Sequence, residues 1–449
     1  MRILGYVFYR YLWISFNTLL FYFYRFSPRR HTSGMERIPT DRPVIFCSNH
    51  PNAFMDALML GSAVKRRTWF LARSDVFRKK ALAKFLSFIG IIPIYRLLEG
   101  AENLSKNDET FDKCSAMLEE NKAILIFSEG LCVQERRLRK LKKGTARIAL
   151  GSEAKNNFNL NLTIIPAGIN YSSTPWKFRK PLYISLGEPF AVKDYEALYR
   201  ESPARAMNQF TRDLEDRMRE QLVIIEHKEN DELVAQLEEM FMRKWTVEKY
   251  GDPRNQADTY HTSKAIAHFV NETTKREPEK IAALRDKAQT YFSKLEELRL
   301  RDWLVTDTKR TGGIIAGVLL ALLTLPFWLF GVITNYVPYK IPWLIQKKIV
   351  KNIEWSASVN GTIAVYLWQF YWLLQSLVVA LVFRNWYVLG AFMIAVPACG
   401  MIAQWNSVRL KKLFGRIRYS NLPANERKDL AEMRSEIERE GEELKGLKV

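Results

Sequence analysis

The chain has 449 residues, 48% hydrophobic and 13% aromatic, with 68 Lys and Arg against 48 Asp and Glu and a formal net charge of +20. That length holds two or three structural units and a full-sized core, and so apolar a composition excludes a disordered chain. The four cysteines (Cys47, Cys114, Cys132, Cys399) show no CxxC spacing, which excludes a disulfide scaffold and a cysteine zinc site and fits a reducing compartment. Mean hydropathy is near zero, but the C-terminal third holds long apolar runs while the middle is highly charged. The pattern predicts a membrane-bound protein with a large water-facing part.

Residues 1–30 open with an apolar, aromatic stretch containing Arg2 and Arg10 and followed by Arg25, Arg29 and Arg30. No small-residue cleavage site follows it, so it does not read as a removed signal peptide. The aromatic content and flanking arginines predict a helix at the membrane interface, with a spanning helix as the alternative. Residues 31–200 alternate short apolar runs (44–48, 68–72, 91–95, 123–127, 163–169, 182–186) with helical patterns such as 54–63, 76–88, 101–120 and 145–156. This alternation predicts an α/β domain with a mostly parallel, twisted sheet flanked by helices. The continuously apolar AILIF at 123–127 suits a strand buried on both faces.

Residues 201–308 are charged, with apolar positions at helical spacing such as Leu233, Leu237, Met240 and Phe241. They predict a helical arm or linker, either a docking surface or a solvated appendage. Residues 309–410 contain three apolar runs, 312–334, 361–383 and 386–404, each long enough to cross a bilayer. Basic clusters precede the first run, separate the first from the second and follow the third, whereas Arg384 alone separates the second from the third. If every cluster is cytoplasmic, 361–404 forms a hairpin with Arg384 on the far side, and 312–334, interrupted by Pro326, enters and returns. Residues 411–449 are a basic segment and a charged helical tail.

The chemistry concentrates in SNHPNAFMDALML at 48–60, directly after an apolar strand. Active-site groups in open parallel sheets gather beyond the carboxyl ends of strands. His50 stands at such an end. Asp56 is six residues on, where its carboxylate can accept one imidazole N–H, fix the tautomer and leave the other nitrogen as a base. Three further segments follow: GIIPIYR at 90–96, FSEG at 127–130 and TIIPAGINY at 163–171. In this order and spacing the four segments resemble the blocks of the phospholipid/glycerol acyltransferase family, over about residues 35–195. LGEPF at 186–190 resembles the stretch after the fourth block. Two departures stand out. Ser128 occupies a position where the family most often has proline. Five residues, not four, separate histidine from aspartate, so Met55 stands where the aspartate is usual and Asp56 must act through an adjusted turn. The longer spacing and the C-terminal membrane region look like the branch that includes fungal glycerol-3-phosphate/dihydroxyacetone-phosphate acyltransferases.

The resemblance implies the glycerolipid acyltransferase fold and direct acyl transfer. His50 and Asp56 are the catalytic pair, with His50 removing the acceptor's hydroxyl proton as it attacks an acyl thioester. Arg96 binds the acceptor phosphate, and Gly90, Glu129, Gly130, Lys142 and Lys143 are further substrate-binding positions. The acyl donor is acyl-CoA or acyl-carrier protein, a substrate that supplies its own activation, so no bound cofactor is implied. The acceptor is glycerol 3-phosphate or glycerone phosphate, or alternatively lysophosphatidate; a catalytically silent membrane scaffold is a further reading. The segment 135–147 carries seven basic residues between Arg136 and Arg147 and suits either substrate phosphates or anionic membrane lipid. Apolar runs without a recognisable nucleic-acid module speak against nucleic acid as a partner. The charge distribution predicts an integral membrane protein with its catalytic domain on the cytoplasmic face.

Overall fold

The computed structural model describes residues 7–8, 11–12, 14–15, 17–18, 31–64, 66–95, 106–172, 182–307 and 310–446. Most of the interface helix expected at 1–30 lies outside the described residues. The chain forms two compact units. One comprises Met1–Ile224, Arg254–His261 and Asn352–Ser358, the other Ile225–Pro253, Thr262–Lys351 and Val359–Val449.

The first unit is built on one mixed sheet. Its described strands are β1 (Thr32–Ser33), β2 (Val44–Ser48), β3 (Thr68–Arg73), β4 (Ile91–Ile94), β5 (Ala123–Phe127), β6 (Thr163–Tyr171), β7 (Leu182–Leu186) and β8 (Phe190–Ala191). Their order is β1-β7-β6-β2-β5-β3-β4, with β8 also pairing β6. The pairings β2 with β5 and β6, β3 with β4 and β5, and β1 with β7 are parallel, while β7 and β8 run antiparallel to β6. The mostly parallel sheet expected from the alternation is therefore present.

Helices connect the parallel strands: α1 (Phe54–Ala63), α2 (Lys80–Phe88), α3 (Lys106–Glu119) and α4 (Gly144–Lys155). Every residue of β2 is buried, as is most of β5. Strands covered on both faces bury nearly every side chain, which explains their continuous apolar sequence. After β8 come a short α5 (Glu196–Glu201) and then α6 (Pro203–Arg219). Proline at the first position suits the start of α6. Its buried stripe of Ala206, Phe210, Leu214 and Met218 joins Ile45, Ile124, Ile148 and Ile164 in one core.

The second unit contains α7 (Asp231–Tyr250), most of α8 (Gln256–Arg276), α9 (Pro278–Glu297), α10 (Arg310–Ile349), most of α11 (Ser356–Phe383), α12 (Trp386–Ser420) and α13 (Ala424–Gly446). The tail helix α13 buries Leu430 and Ile437. Arg434 pairs with Asp302 at 2.8 Å, and Asp302 also accepts a hydrogen bond from the buried Tyr291 hydroxyl at 2.8 Å. A buried charge needs such partners to offset its desolvation.

Among the described residues three helices are long and apolar enough to cross a membrane: Gly312–Ile349, Ile353–Phe383 (α11 with the turn before it) and Trp386–Ser420. The expected interruption at Pro326 is absent, and α10 runs unbroken through Pro326, Pro338 and Pro342. Proline removes one backbone hydrogen bond, a loss that apolar helices absorb through neighbouring helices and hydroxyl side chains. Helices α10 and α12 pack antiparallel at small residues. A Cβ on Gly331 would sit 2.1 Å from the Cys399 carbonyl oxygen, and one on Gly317 would lie 3.1 Å from Leu413. Close approach at glycine is the usual device where lipid gives no hydrophobic drive for helix association. Asn335 adds polar ties, donating to the Val396 carbonyl at 3.2 Å and accepting from the Trp368 indole at 2.8 Å.

Candidate active site

Parallel pairing in register aligns the carboxyl ends of β2, β5 and β6: Ser48 lies opposite Phe127 on one side and Ala167 on the other. Whatever follows these three strands is brought together, however far apart in sequence. His50 follows β2, Glu129 follows β5, and Tyr171 ends β6.

His50 Nδ1 lies 3.0 Å from Asp56 Oδ2. A carboxylate only accepts, so Nδ1 carries the proton and Nε2 holds the free lone pair. Asp56 is fully buried while His50 keeps 16% side-chain exposure, so the carboxylate is sealed and the imidazole can be reached. Asp56 has two more donors. The Asn52 N–H donates to Oδ2 at 2.7 Å, and the Tyr171 hydroxyl donates to Oδ1 at 2.8 Å. The imidazole stacks on Phe127, with ring centroids 3.8 Å apart and an 11° interplanar angle.

The extra residue between His50 and Asp56 is taken up by a bulge. Ala53 adopts φ 45°, ψ −131° at the start of α1, a conformation that ordinarily calls for glycine. Its N–H donates to Cys132 Sγ at 3.0 Å. Burial, with the Asp56 charge nearby, pushes the Cys132 thiol well above its ordinary value, so it remains a neutral acceptor. Asn49 fastens the end of β2 to β6: its side chain accepts from Ile169 N at 2.8 Å and donates to Ile169 O at 3.0 Å.

Glu129 points inward. Its Oε1 accepts the His50 backbone N–H at 3.1 Å and its Oε2 accepts the Arg139 N–H at 3.2 Å. Burial raises its pKa, against the lowering effect of those two N–H groups. The residue thus ties the turn before the base to the basic loop, a part the sequence does not display. Gly130 (φ 69°) is followed closely by the stem of Lys142, whose Cγ would lie 3.1 Å from a Cβ there. Lys142 and Lys143 are exposed at the start of α4, with Arg139, Lys140 and Arg147 exposed nearby.

Gly90 is not brought to this site. It sits at φ 90° against the Trp69 ring, at the amino end of β4, and four strand residues at about 3.3 Å each separate it from the carboxyl edge. Its role is to turn the chain into the strand. Arg96 lies outside the described residues. Among the described residues no group of three or more His, Cys, Asp or Glu could hold a metal ion. Asn49, Tyr171 and Cys132 were not singled out from sequence, although Asn49 and Tyr171 stand inside the quoted segments.

A family model described as Acyltransferase matches residues 29–170. No curated protein matches the chain. Among solved structures, the crystal structure of the 1-acyl-sn-glycerophosphate (LPA) acyltransferase PlsC from Thermotoga maritima is similar, at 16% identity over 41% of this chain and 70% of that one, with a TM-score of 0.28. The matched stretch encloses His50, Asp56, Glu129 and the basic loop, and residues 29–170 of this chain are a domain of the acyltransferase family.

Proposed function

We propose that this protein transfers a fatty acyl group from acyl-CoA or acyl-carrier protein to the hydroxyl of glycerol 3-phosphate or glycerone phosphate. The observation that carries this reading is the His50–Asp56 pair at 3.0 Å, with the carboxylate buried and the imidazole accessible. His50 Nε2 accepts the acceptor's hydroxyl proton while that oxygen attacks the thioester carbonyl. Asp56 stabilises the imidazolium as it forms. The tetrahedral adduct collapses, the C–S bond breaks, and the imidazolium returns its proton to the leaving thiolate. Such general-base action contributes roughly 10²–10⁴-fold in rate. Arg96, two residues beyond β4, supplies a guanidinium suited to a phosphate, and Lys142 and Lys143 add exposed positive charge beside Gly130.

Lysophosphatidate is the second acceptor considered, and one feature favours it. Phe85 and Phe88 are exposed on α2, which leads into β4, and they offer apolar surface for an acyl chain. A panel of acceptors with radiolabelled acyl-CoA separates the two. Product from glycerol 3-phosphate or glycerone phosphate supports the first reading, and product from lysophosphatidate alone rejects it. Loss of turnover in folded His50→Ala is expected, and retained turnover would overturn the base assignment.

The three long apolar helices support membrane association. We place the catalytic domain on the cytoplasmic face, from the distribution of Lys and Arg. Cysteine labelling in sealed vesicles tests this. Labelling of a catalytic-domain cysteine before permeabilisation of inside-in vesicles would refute it.

A further inference from the structure

We propose that Ser358, at the start of the apolar helix α11, is a positioning residue for the His50–Asp56 pair, so that the acyltransferase site is incomplete without a residue from the C-terminal membrane region. The proposal rests on the reading of His50 as the base. Segment Asn352–Ser358 belongs to the same compact unit as the sheet. Ser358 is buried, and its hydroxyl spans the two ends of the bulged turn. It donates to the Asn52 carbonyl at 2.9 Å, from 306 residues downstream, and accepts the Met55 N–H at 3.0 Å.

These two backbone groups matter because of what adjoins them. Asn52 gives its own N–H to Asp56 Oδ2, the oxygen that also faces His50 Nδ1. Met55 immediately precedes Asp56. One hydroxyl therefore holds both ends of the turn that leads into Asp56. The need comes from the helix start: Met55 lies in the first turn of α1, where its N–H has no acceptor one turn back, and Asn52 lies before the helix. Their remaining mutual contact is a single short-turn bond at 3.1 Å. Cys132 occupies the third position, on the Ala53 N–H. A buried carbonyl and N–H deprived of their partner relax toward other donors and acceptors, and a shift of about 1 Å in a catalytic group can cost on the order of 10²-fold in rate.

The test uses the full-length protein in nanodiscs, as wild type, Ser358→Ala and Ser358→Thr, after thermal unfolding establishes which are folded. Two quantities are read: steady-state acyl transfer, and the rate of carbethoxylation of His50 by diethyl pyrocarbonate at one fixed pH, followed by peptide mass spectrometry. The second needs no turnover. In Ser358→Ala, kcat should fall about 10- to 100-fold with KM for the acyl donor within about twofold. The His50 carbethoxylation rate should fall several-fold, because an imidazole whose Nδ1 proton is no longer held by the carboxylate presents a less nucleophilic Nε2. Ser358→Thr, which keeps the hydroxyl, should recover most of both. A folded Ser358→Ala with wild-type kcat and an unchanged carbethoxylation rate overturns the proposal. If Ser358→Ala does not fold, Ser358→Cys, which keeps the volume and weakens both bonds, takes its place with the same two outcomes. Absence of acyl transfer in wild type would count against the functional reading, while the carbethoxylation comparison would still decide the role of Ser358.

Discussion

Replacing Asp56 by asparagine separates two jobs that the carboxylate performs. In many histidine–carboxylate pairs the amide can rotate, present its NH2 to the imidazole and force the wrong tautomer. Here rotation is blocked. The Asn52 N–H lies 2.7 Å from the same oxygen that faces His50, and a backbone N–H can only donate. The amide oxygen of Asp56→Asn must therefore remain on the His50 side, with the NH2 toward Tyr171, whose hydroxyl can turn to accept. The tautomer survives and the negative charge is lost. A hydrogen bond to a charged group is worth about 1.5–3 kcal/mol against about 0.5–1.5 kcal/mol for a neutral one. The Coulomb attraction of an imidazolium and a carboxylate about 4 Å apart is about 4 kcal/mol at an effective dielectric constant near 20. The barrier should thus rise by about 1–4 kcal/mol, and kcat should fall between about 5- and 10³-fold, with little loss of stability. Asp56→Ala instead strands the Asn52 N–H, the imidazole N–H and the Tyr171 hydroxyl, at about 1–3 kcal/mol each, which approaches the whole stability of a domain. Acyl transfer from radiolabelled acyl-CoA and thermal unfolding of the purified variants provide the comparison. A folded Asp56→Asn with wild-type turnover would refute the role assigned to the charge. An Asp56→Asn as unstable as Asp56→Ala would refute the account of the three donors.

Four further outcomes are expected. Tyr171→Phe removes one donor to Asp56 and should lower kcat by about fivefold, the equivalent of about 1 kcal/mol; unchanged kinetics would show that the 2.8 Å contact does not act on the pair. Glu129 has a folded-state pKa raised by burial, so the native state binds its proton more tightly than the unfolded chain. Its contribution to stability is then greatest below the unfolded carboxyl value and declines as pH rises through the raised folded value. Glu129→Gln, which also sets an NH2 against a backbone N–H, should lower stability and flatten that decline in thermal unfolding as pH rises above the ordinary glutamate range. Ala53→Gly relieves the positive φ and should raise stability by up to about 1 kcal/mol, whereas Ala53→Val should lower it. Gly331→Leu drives a side chain into the Cys399 backbone and should lower the unfolding temperature of the solubilised protein by several degrees, an effect absent at Gly390, where a Cβ meets nothing.

Much of this was legible from residue order, for identifiable reasons. Strands β2, β5 and β7 have the expected bounds because strands buried in a sheet must be apolar throughout, and turn signals end them sharply. His50 and Asp56 were legible as a pair because the segment around them resembles a family block even with one residue more between them, and they lie 3.0 Å apart. What stayed hidden depends on contacts far apart in the chain. Glu129 reads as a ligand in FSEG, yet its two oxygens meet N–H groups 79 and 10 residues away. Tyr171 and Ser358 reach the turn over separations of 115 and 306 residues, and nothing in a hydroxyl's local sequence announces such a partner. Gly90 was placed with the substrate because it opens a motif, but a motif that spans a strand puts its first and last residues at opposite edges of the sheet. Pro326 reads as a break because proline usually is one in water, whereas apolar helices packed on neighbours tolerate it.

The strand order constrains the acceptor further. From β2, which presents the base, β4 is three strands away through β5 and β3, about 14 Å at the usual strand spacing. A three-carbon phosphate is shorter than that. If its hydroxyl meets His50 Nε2 and its phosphate meets Arg96, the side chains at both ends must reach over β5 and β3, and the molecule must lie across the carboxyl edge of the sheet. Residues beyond β5 would then lie beneath it. Glu129 follows β5 but its oxygens are turned inward to backbone N–H groups, so it adds no bare carboxylate to repel the phosphate. The surface left to the acceptor is the left-handed Gly130, the exposed Lys142 beside it and the His50 ring on Phe127. Glycine there removes a side chain that would crowd both Lys142 and a ligand. Gly130→Val should therefore raise KM for the phosphorylated acceptor more than KM for the acyl donor, and an equal rise in both would place the acceptor elsewhere.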